Sequence, residues 1–318
     1  MSGPDVSVIV LTYNQEATVA RAIDSVLAQE AGPFSFEVLI GEDASTDATR
    51  EICIDYAKRY PDIVRIMPLS ANKGVVRNYF DTLSECRGRY IADCAGDDYW
   101  TDVTRLRRQA ALLDTEQDVV ITHGAWREVD ITGTTLRHCR PYGTGGSGKT
   151  VEGRELLEPL LAHLRPTCIH LSTAMYRADV ARKAISVNRS VVDNPDFQCE
   201  DLPLTAALLA SGRVAYDPTE LLAYTVGEST VSNPENIEKA LRFYAATVRC
   251  TNSLAHHYGV RSDAIEHYFR SRAIYMAKLA RHAGSVAAVK CVRDTMASIQ
   301  RQIPFLARLI LIYARILG

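Results

Sequence analysis

Hydrophobic residues in the first half of the chain change period repeatedly, from nearly continuous runs to helical spacing and back. Val6-Ser7-Val8-Ile9-Val10-Leu11 is a short apolar run, as expected of a strand buried on both faces. Val19, Ala22, Ile23, Val26 and Leu27 recur at i, i+3, i+4, i+7 and i+8, which marks one face of a helix. The same reading gives strands over 36–40, 63–67, 89–92 and 119–122. It gives helices through Ala48, Ile52, Tyr56 and Ala57, stopped before Pro61, through Val76, Tyr79, Phe80 and Leu83, and over 106–113. Strands alternating with helices predict an α/β fold, a Rossmann-like, mostly parallel sheet with helices on both faces. Periodicity resumes at Leu156, Leu157, Leu160 and Leu161, and from Pro234 onward the pattern is helical throughout. The expected organisation is a domain over 1–232, with halves 1–122 and 123–232, and a C-terminal helical region over 233–318.

Composition narrows the function classes. The 36 Lys and Arg nearly balance the 38 Asp and Glu, so the chain lacks the basic footprint of a nucleic-acid binder. Its eight cysteines stand singly, with no Cys-x-x-Cys pair, which argues against a zinc site or a disulfide framework. They read as reduced thiols of a cytoplasmic protein. The first apolar run stops at Thr12-Tyr13-Asn14, too short for a signal peptide, and no run is long enough to span a bilayer.

Ligands of such sheets bind at the carboxyl ends of the strands. The first strand ends in Thr12-Tyr13-Asn14, the second in Gly41-Glu42-Asp43-Ala44-Ser45-Thr46-Asp47, the fourth in Gly96-Asp97-Asp98-Tyr99-Trp100. This gathers Asp43, Asp97 and Asp98 at one rim. Crowded carboxylates repel unless a cation or hydrogen-bond donors intervene. Mg²⁺ is held by one or two carboxylates plus substrate phosphates, so the pattern points to a metal–diphosphate site. The competing reading is that Asp43 or Asp47 caps the following helix and that Asp97-Asp98 is a solvated turn.

Taken in order, Val6 to Asn14, Glu42 to Asp47, Asn72-Lys73-Gly74 and Gly96 to Trp100 resemble the serial motifs of family 2 glycosyltransferases. The resemblance is clear over 5–115 and patchier to about 232. It implies a glycosyltransferase A-type fold, with a donor-binding half over 1–122 and an acceptor-binding half over 123–232. It also implies inverting transfer of a sugar from a nucleotide sugar, a UDP-sugar being favoured, to a glycan or lipid-linked glycan acceptor, in polysaccharide assembly. By motif position Thr12, Tyr13, Asn14 and Lys73 belong to the nucleotide site; Tyr13 contacts the base and Asp43 bonds its ring N–H. Asp97 sits by the ribose, and Asp98 holds Mn²⁺ or Mg²⁺. Two departures stand out. Glu42 occupies a position where the family often has Asp, and Ala95 replaces the first acid of the family's Asp-x-Asp-Asp signature. Asp93, two residues earlier, is expected to substitute in part.

Inverting transfer needs a general base for the acceptor hydroxyl. The sequence Glu200-Asp201-Leu202-Pro203-Leu204 resembles the family's acid-containing pattern, which makes Asp201 the expected base and Glu200 the alternate. Both also suit the start of a helix, where acids favour the dipole and Pro is tolerated. The family's Tyr-Arg-x-His is absent; the chain reads Tyr224-Thr225-Val226-Gly227 there. Trp100, the 137–150 loop and the region from His170 to Arg177 are expected walls of the acceptor site, with core packing as the alternative for Trp100.

Two other segments compete for attention. Gly143-Thr144-Gly145-Gly146-Ser147-Gly148-Lys149-Thr150 matches the Gly-x4-Gly-Lys-Ser/Thr phosphate loop. An NTP-using enzyme working through Lys149 is therefore an alternative, as is a non-catalytic nucleotide-sugar-binding relative whose acids have decayed. The phosphate loop needs a buried strand before it and a helix after it, and the flanking residues suggest neither. At the C-terminus, residues 303–317 are strongly apolar, with Arg301, Arg308 and Arg315 every seven residues. Such a helix fits a membrane interface at the inner face of the membrane, or packing on the domain or another subunit of an oligomer.

Overall fold

The computed structural model describes residues 3–68, 71–141, 150–227 and 236–316. The first part of the chain runs β1 (Val6–Thr12), α1 (Val19–Leu27), β2 (Phe36–Glu42), α2 (Thr49–Arg59), β3 (Val64–Ile66), α3 (Val75–Ser84) and β4 (Tyr90–Ala95). A two-residue β5 (Tyr99–Trp100), α4 (Arg105–Thr115) and β6 (Val119–Val129) follow. Next come β7 (Thr135–Cys139), β8 (Thr150–Glu152), α5 (Leu157–Leu161), β9 (Met175–Arg177), α6 (Ala178–Val187), α7 (Arg189–Val192), α8 (Asp201–Leu209) and β10 (Arg213–Thr225). Four helices close the chain: α9 (Ile237–Tyr258), α10 (Asp263–Ala283), α11 (Val286–Ser298) and α12 (Phe305–Ile316).

The strands form one sheet in the order β3-β2-β1-β4-β9-β6-β10-β5, with β7 on β6 and β8 on β10. From β3 to β4 all pairing is parallel, as expected of strands joined by crossover helices. Beyond β4 the sheet is mixed: β9 runs antiparallel to both β4 and β6, and β5 and β8 run antiparallel to β10. The sequence-based expectation of a mostly parallel sheet holds for the long strands, including β10 on β6, and every antiparallel pairing involves one of the short strands β5, β7, β8 and β9. The short strands β5, β8 and β9 are too brief to register as periodic runs.

Alternation along the strands divides the core in two. Val6, Val8 and Val10 of β1 and Val38 and Ile40 of β2 pack with Val19, Ile23 and Leu106, on the face covered by α1, α2 and α4. Ile9 and Leu39 point the other way, into a larger core with Tyr79, Ile91, Leu204, Leu241, Phe269 and Leu311. The C-terminal helices therefore share one apolar core with the sheet. The long helical stretch breaks at Gly259 and Gly284, both left-handed, and restarts at Ser262 and Ser285, whose hydroxyls accept the Ile265 and Ala288 amides.

Register sets the site. Leu11 lies opposite both Gly41 and Ala95, and Thr12 lies opposite Glu42, so three strands end at one level. The loops after β1, β2 and β4 then emerge side by side.

Candidate active site

The loops after β1 and β2 hold each other. Asn14, in the left-handed region, donates its N–H to Ser45 Oγ at 2.9 Å and accepts the Thr46 amide at Oδ1 at 2.8 Å. The Gln15 amide donates to Thr49 Oγ1, the Glu16 amide to Asp47, and the Ala48 amide to the Glu16 carboxylate. Asp47 Oδ1 also accepts the Thr49 amide at 3.0 Å, in the first turn of α2. Among these tied residues Tyr13 keeps 46 % of its surface exposed. An unpaired aromatic face on a braced loop is suited to stacking on a flat heterocycle.

Asp43 is nearly buried and both its carboxylate oxygens are in use. Oδ1 accepts the Lys73 amide at 2.8 Å and Oδ2 the Gly74 amide at 2.9 Å, while Asn72 Nδ2 donates to its backbone carbonyl. Gly74 has φ 79°, a conformation that favours glycine. Each oxygen retains a lone pair for a ligand. Lys73 reaches the rim through its backbone amide, and its ammonium pairs with Asp81 at 2.8 Å. Glu42 is 1 % exposed and accepts the Ser45 amide at 2.6 Å, so it shapes the turn.

The loop after β4 passes close to the first. A Cβ on Gly96 would lie 2.5 Å from Gln15 Oε1 and 2.7 Å from Thr12 Oγ1, so no side chain fits there. Asp97 is half-buried; its backbone carbonyl accepts Thr225 Oγ1 at 2.5 Å and Arg21 Nη2 at 3.5 Å. Asp98 is 1 % exposed. Its Oδ1 accepts the Thr225 amide at 2.9 Å, and its Oδ2 is buried with no hydrogen-bond partner. Burial, then the neighbouring Asp97 charge, push the Asp98 carboxyl well above the usual carboxylate range; burial also raises Asp97. The expected rim therefore forms, but its acids do not converge. Among the described residues no three His, Cys, Asp or Glu are grouped to hold a metal ion. A Mg²⁺ or Mn²⁺ here would have the orphaned oxygen of Asp98 as a candidate protein ligand and would need others from elsewhere, such as phosphates.

Asp93, the acid expected to make up in part for Ala95, is buried, with one carboxylate oxygen engaged and the other without a partner. Tyr79 Oη donates to its Oδ1 at 2.7 Å and lies 2.7 Å from Tyr176 Oη, which draws the carboxyl into the larger core. Burial pushes it up to about 7, against the opposing pull of Tyr79, Arg105 and Tyr176. Trp100 is likewise a core residue and not an acceptor wall. It is 5 % exposed, its indole N–H donates to the Asp93 carbonyl at 3.3 Å, and the Arg105 guanidinium lies 3.9 Å from its ring centroid.

Glu200 and Asp201 open α8, whose remaining residues Leu202 to Leu209 are all buried. Asp201 Oδ1 accepts the Leu202 amide at 2.7 Å, while Glu200 makes no side-chain cap. Asp201 keeps exposed surface, yet the protein around its carboxyl raises it above the ordinary value. Glu200 is raised further, to about 8, by burial and then by the charges of Asp201 and Asp93.

The model for the family "Glycosyl transferase family 2" matches residues 7–183. The chain belongs to glycosyltransferase family 2. It is 32 % identical over 234 residues to a putative glycosyltransferase, EpsE, of Bacillus subtilis, covering 72 % of this chain and 75 % of that one. It is 44 % identical over 115 residues to an uncharacterized protein of Mycobacterium tuberculosis, a match that covers 36 % of this chain and only 33 % of the relative. The fold resembles the structure of S. aureus TarS residues 1–349 in complex with UDP-GlcNAc, with TM-score 0.67 and 18 % identity over 98 % of this chain and 87 % of that one.

Two residues of this chain that escaped the sequence pattern are Arg105 and Arg21. Arg105 is fully buried and donates to the carbonyls of Ser172 at 2.7 Å and Ala174 at 2.9 Å and to Gln109 at 3.0 Å. It pins the turn at Leu171–Thr173 behind Asp98. In sequence it is one of three arginines in Arg105-Leu106-Arg107-Arg108, indistinguishable from a solvated face. Arg21 stacks over Tyr99 at 4.4 Å and reaches both Asp97 and Thr225. His170 packs edge-on to Tyr224 at 4.8 Å, and burial lowers it to about 4, so it is neutral. Residues 142–149, which include Lys149, lie outside the described residues. Immediately after it comes β8, antiparallel to β10, where a phosphate loop requires a helix, so the phosphate-loop alternative lacks its structural context.

Proposed function

We propose that this chain transfers a sugar from a nucleotide-diphospho-sugar, a UDP-sugar by preference, to a hydroxyl of a glycan or lipid-linked glycan, by a single inverting displacement in the cytoplasm. Residues 1–122 bind the donor, 123–232 the acceptor, and 233–318 form a helical appendage. The reading rests chiefly on Asp98, a buried carboxylate with one oxygen fixed by the Thr225 amide and the other unanswered, at the strand end where α/β ligands bind. Tyr13 is available to stack on the base, and Asp43 to accept from its ring N–H. Asp98, with Asp97 beside it, would hold Mg²⁺ or Mn²⁺. When bound, the cation offsets the charge that develops on the departing diphosphate. Asp201 takes the proton of the acceptor hydroxyl; the proton on neighbouring Glu200 leaves Asp201 ionised, and its raised basicity suits that task.

Calorimetric titration with UDP, GDP and ATP, each with and without Mn²⁺, tests the reading. Expected is metal-dependent binding of UDP or GDP but not ATP, weakened by Asp98→Asn and indifferent to Lys149→Ala. ATP binding that is lost in Lys149→Ala overturns it. Metal-dependent nucleotide binding with no transfer to any acceptor identifies a non-catalytic relative.

A further inference from the structure

Charge is unevenly divided along the chain. Residues 236–318 hold thirteen Lys and Arg against four Asp and Glu, while the preceding residues hold 23 against 34. The near-zero total hides an acidic α/β unit joined to a strongly basic helical region. Of its cations, Arg301 is paired with Glu266 and Lys290 with Asp294, whereas Arg261, Arg270, Lys278, Arg281 and Arg293 are exposed.

This basic region also carries an uncovered apolar stripe. Helix α12 buries Ala307 and Leu311 against the core, yet Phe305, Leu306, Leu309 and Ile312 are 76, 52, 39 and 50 % exposed. Helical spacing puts Phe305, Leu309 and Ile312 on one outward face, with Leu306 at one margin and Arg308 at the other. Arg308 is exposed and donates to the Ile303 carbonyl at 2.8 Å. Exposing this much apolar surface in one short helix costs free energy unless something covers it. Twelve residues of helix extend about 18 Å, short of the roughly 30 Å of a hydrocarbon core. Among the described residues no helix is long and apolar enough to cross a membrane. An apolar face edged by arginine on a basic domain fits a surface that is apolar below and negative above.

We propose that α12 docks the protein on an anionic phospholipid surface, with Phe305, Leu306, Leu309 and Ile312 in the acyl boundary and Arg308 among the phosphates. The net positive charge of the helical region then adds long-range attraction that salt weakens. The proposal does not depend on the transferase reading, because docking is measured without substrate.

The test is flotation of the full chain with vesicles of phosphatidylcholine alone or mixed with phosphatidylglycerol, at low and high salt. Expected is flotation with the mixed vesicles only, reduced by salt. Phe305→Ser combined with Leu309→Ser lowers the partition coefficient roughly tenfold or more, and Arg308→Glu lowers it roughly fivefold. All three positions are exposed, so the thermal midpoint stays unchanged. The proposal is overturned by a full chain that stays out of the floated fraction, or by flotation that the double variant leaves unchanged. It is also overturned by sedimentation equilibrium showing an oligomer that the double variant dissociates, since a second copy then covers the stripe.

Discussion

Two acidic regions of the molecule behave in opposite ways. At the rim made by the loops after β1 and β2, each carboxylate is answered by local donors: Asp43 by the Lys73 and Gly74 amides, Glu42 by Ser45, Asp47 by Glu16 and Thr49. Burial acts against Asp47, yet its hydrogen bonds hold its carboxyl below the usual value. Between β4 and α8, Asp93, Asp98 and Glu200 are raised, and Asp93 and Asp98 each keep an oxygen with no partner. Acids satisfied by the fold build the binding surface. Acids left unsatisfied store charge stress that a cation, a proton or a substrate can relieve.

That contrast can be broken by substitution. Asp201→Asn, which removes the proposed base, is expected to lower transfer by about 10²–10⁴-fold while leaving UDP affinity intact. Single-turnover assays paired with calorimetry decide this, and substantial retained turnover removes Asp201 from the role. Arg105→Ala strands the Ser172 and Ala174 carbonyls and empties the space over Trp100. We expect it to cost about 3 kcal/mol in denaturant unfolding. A loss under roughly 1 kcal/mol means the turn behind Asp98 is held by other contacts.

The smallest effect concerns pH. The Asp93 carboxyl is raised in the folded state, so the folded protein keeps its proton after the unfolded chain has lost it. Its contribution to stability is therefore greatest in acid and declines between about pH 4 and pH 7. Glu200 acts in the same sense to a higher pH. Asp93→Asn should make the fall in thermal midpoint across this window shallower in a pH series of calorimetric scans. An unchanged slope shows that Asp93 is ionised throughout.

Much of the donor side could be read from local pattern. The runs at 6–11 and 36–40 and the helix through Val19 and Leu27 fall where the structure has β1, β2 and α1, because each is long enough for its period to show. The segment 119–122 proved to be the start of an eleven-residue strand whose later, polar part carries Trp126 and Arg127. Strands β5 and β9, two and three residues long, left no periodic trace, yet β9 bridges the two halves of the sheet.

The sequence alone determined the order of strands and helices from β1 to β4 and the serial motifs of the family. It also determined that the acids at 43, 97 and 98 sit at strand ends, because strand direction follows from alternation with helices. Only the tertiary structure decided which of those acids are satisfied. Whether a carboxylate is answered depends on amides and hydroxyls that arrive from distant segments. Thr225 reaches Asp98 across 127 positions, Tyr176 meets Tyr79 across 97, and Arg105 meets Ser172 across 67. It also decided which face of α12 stays outside, since that depends on the packing of α10 and α11 and not on the helix's own apolar period.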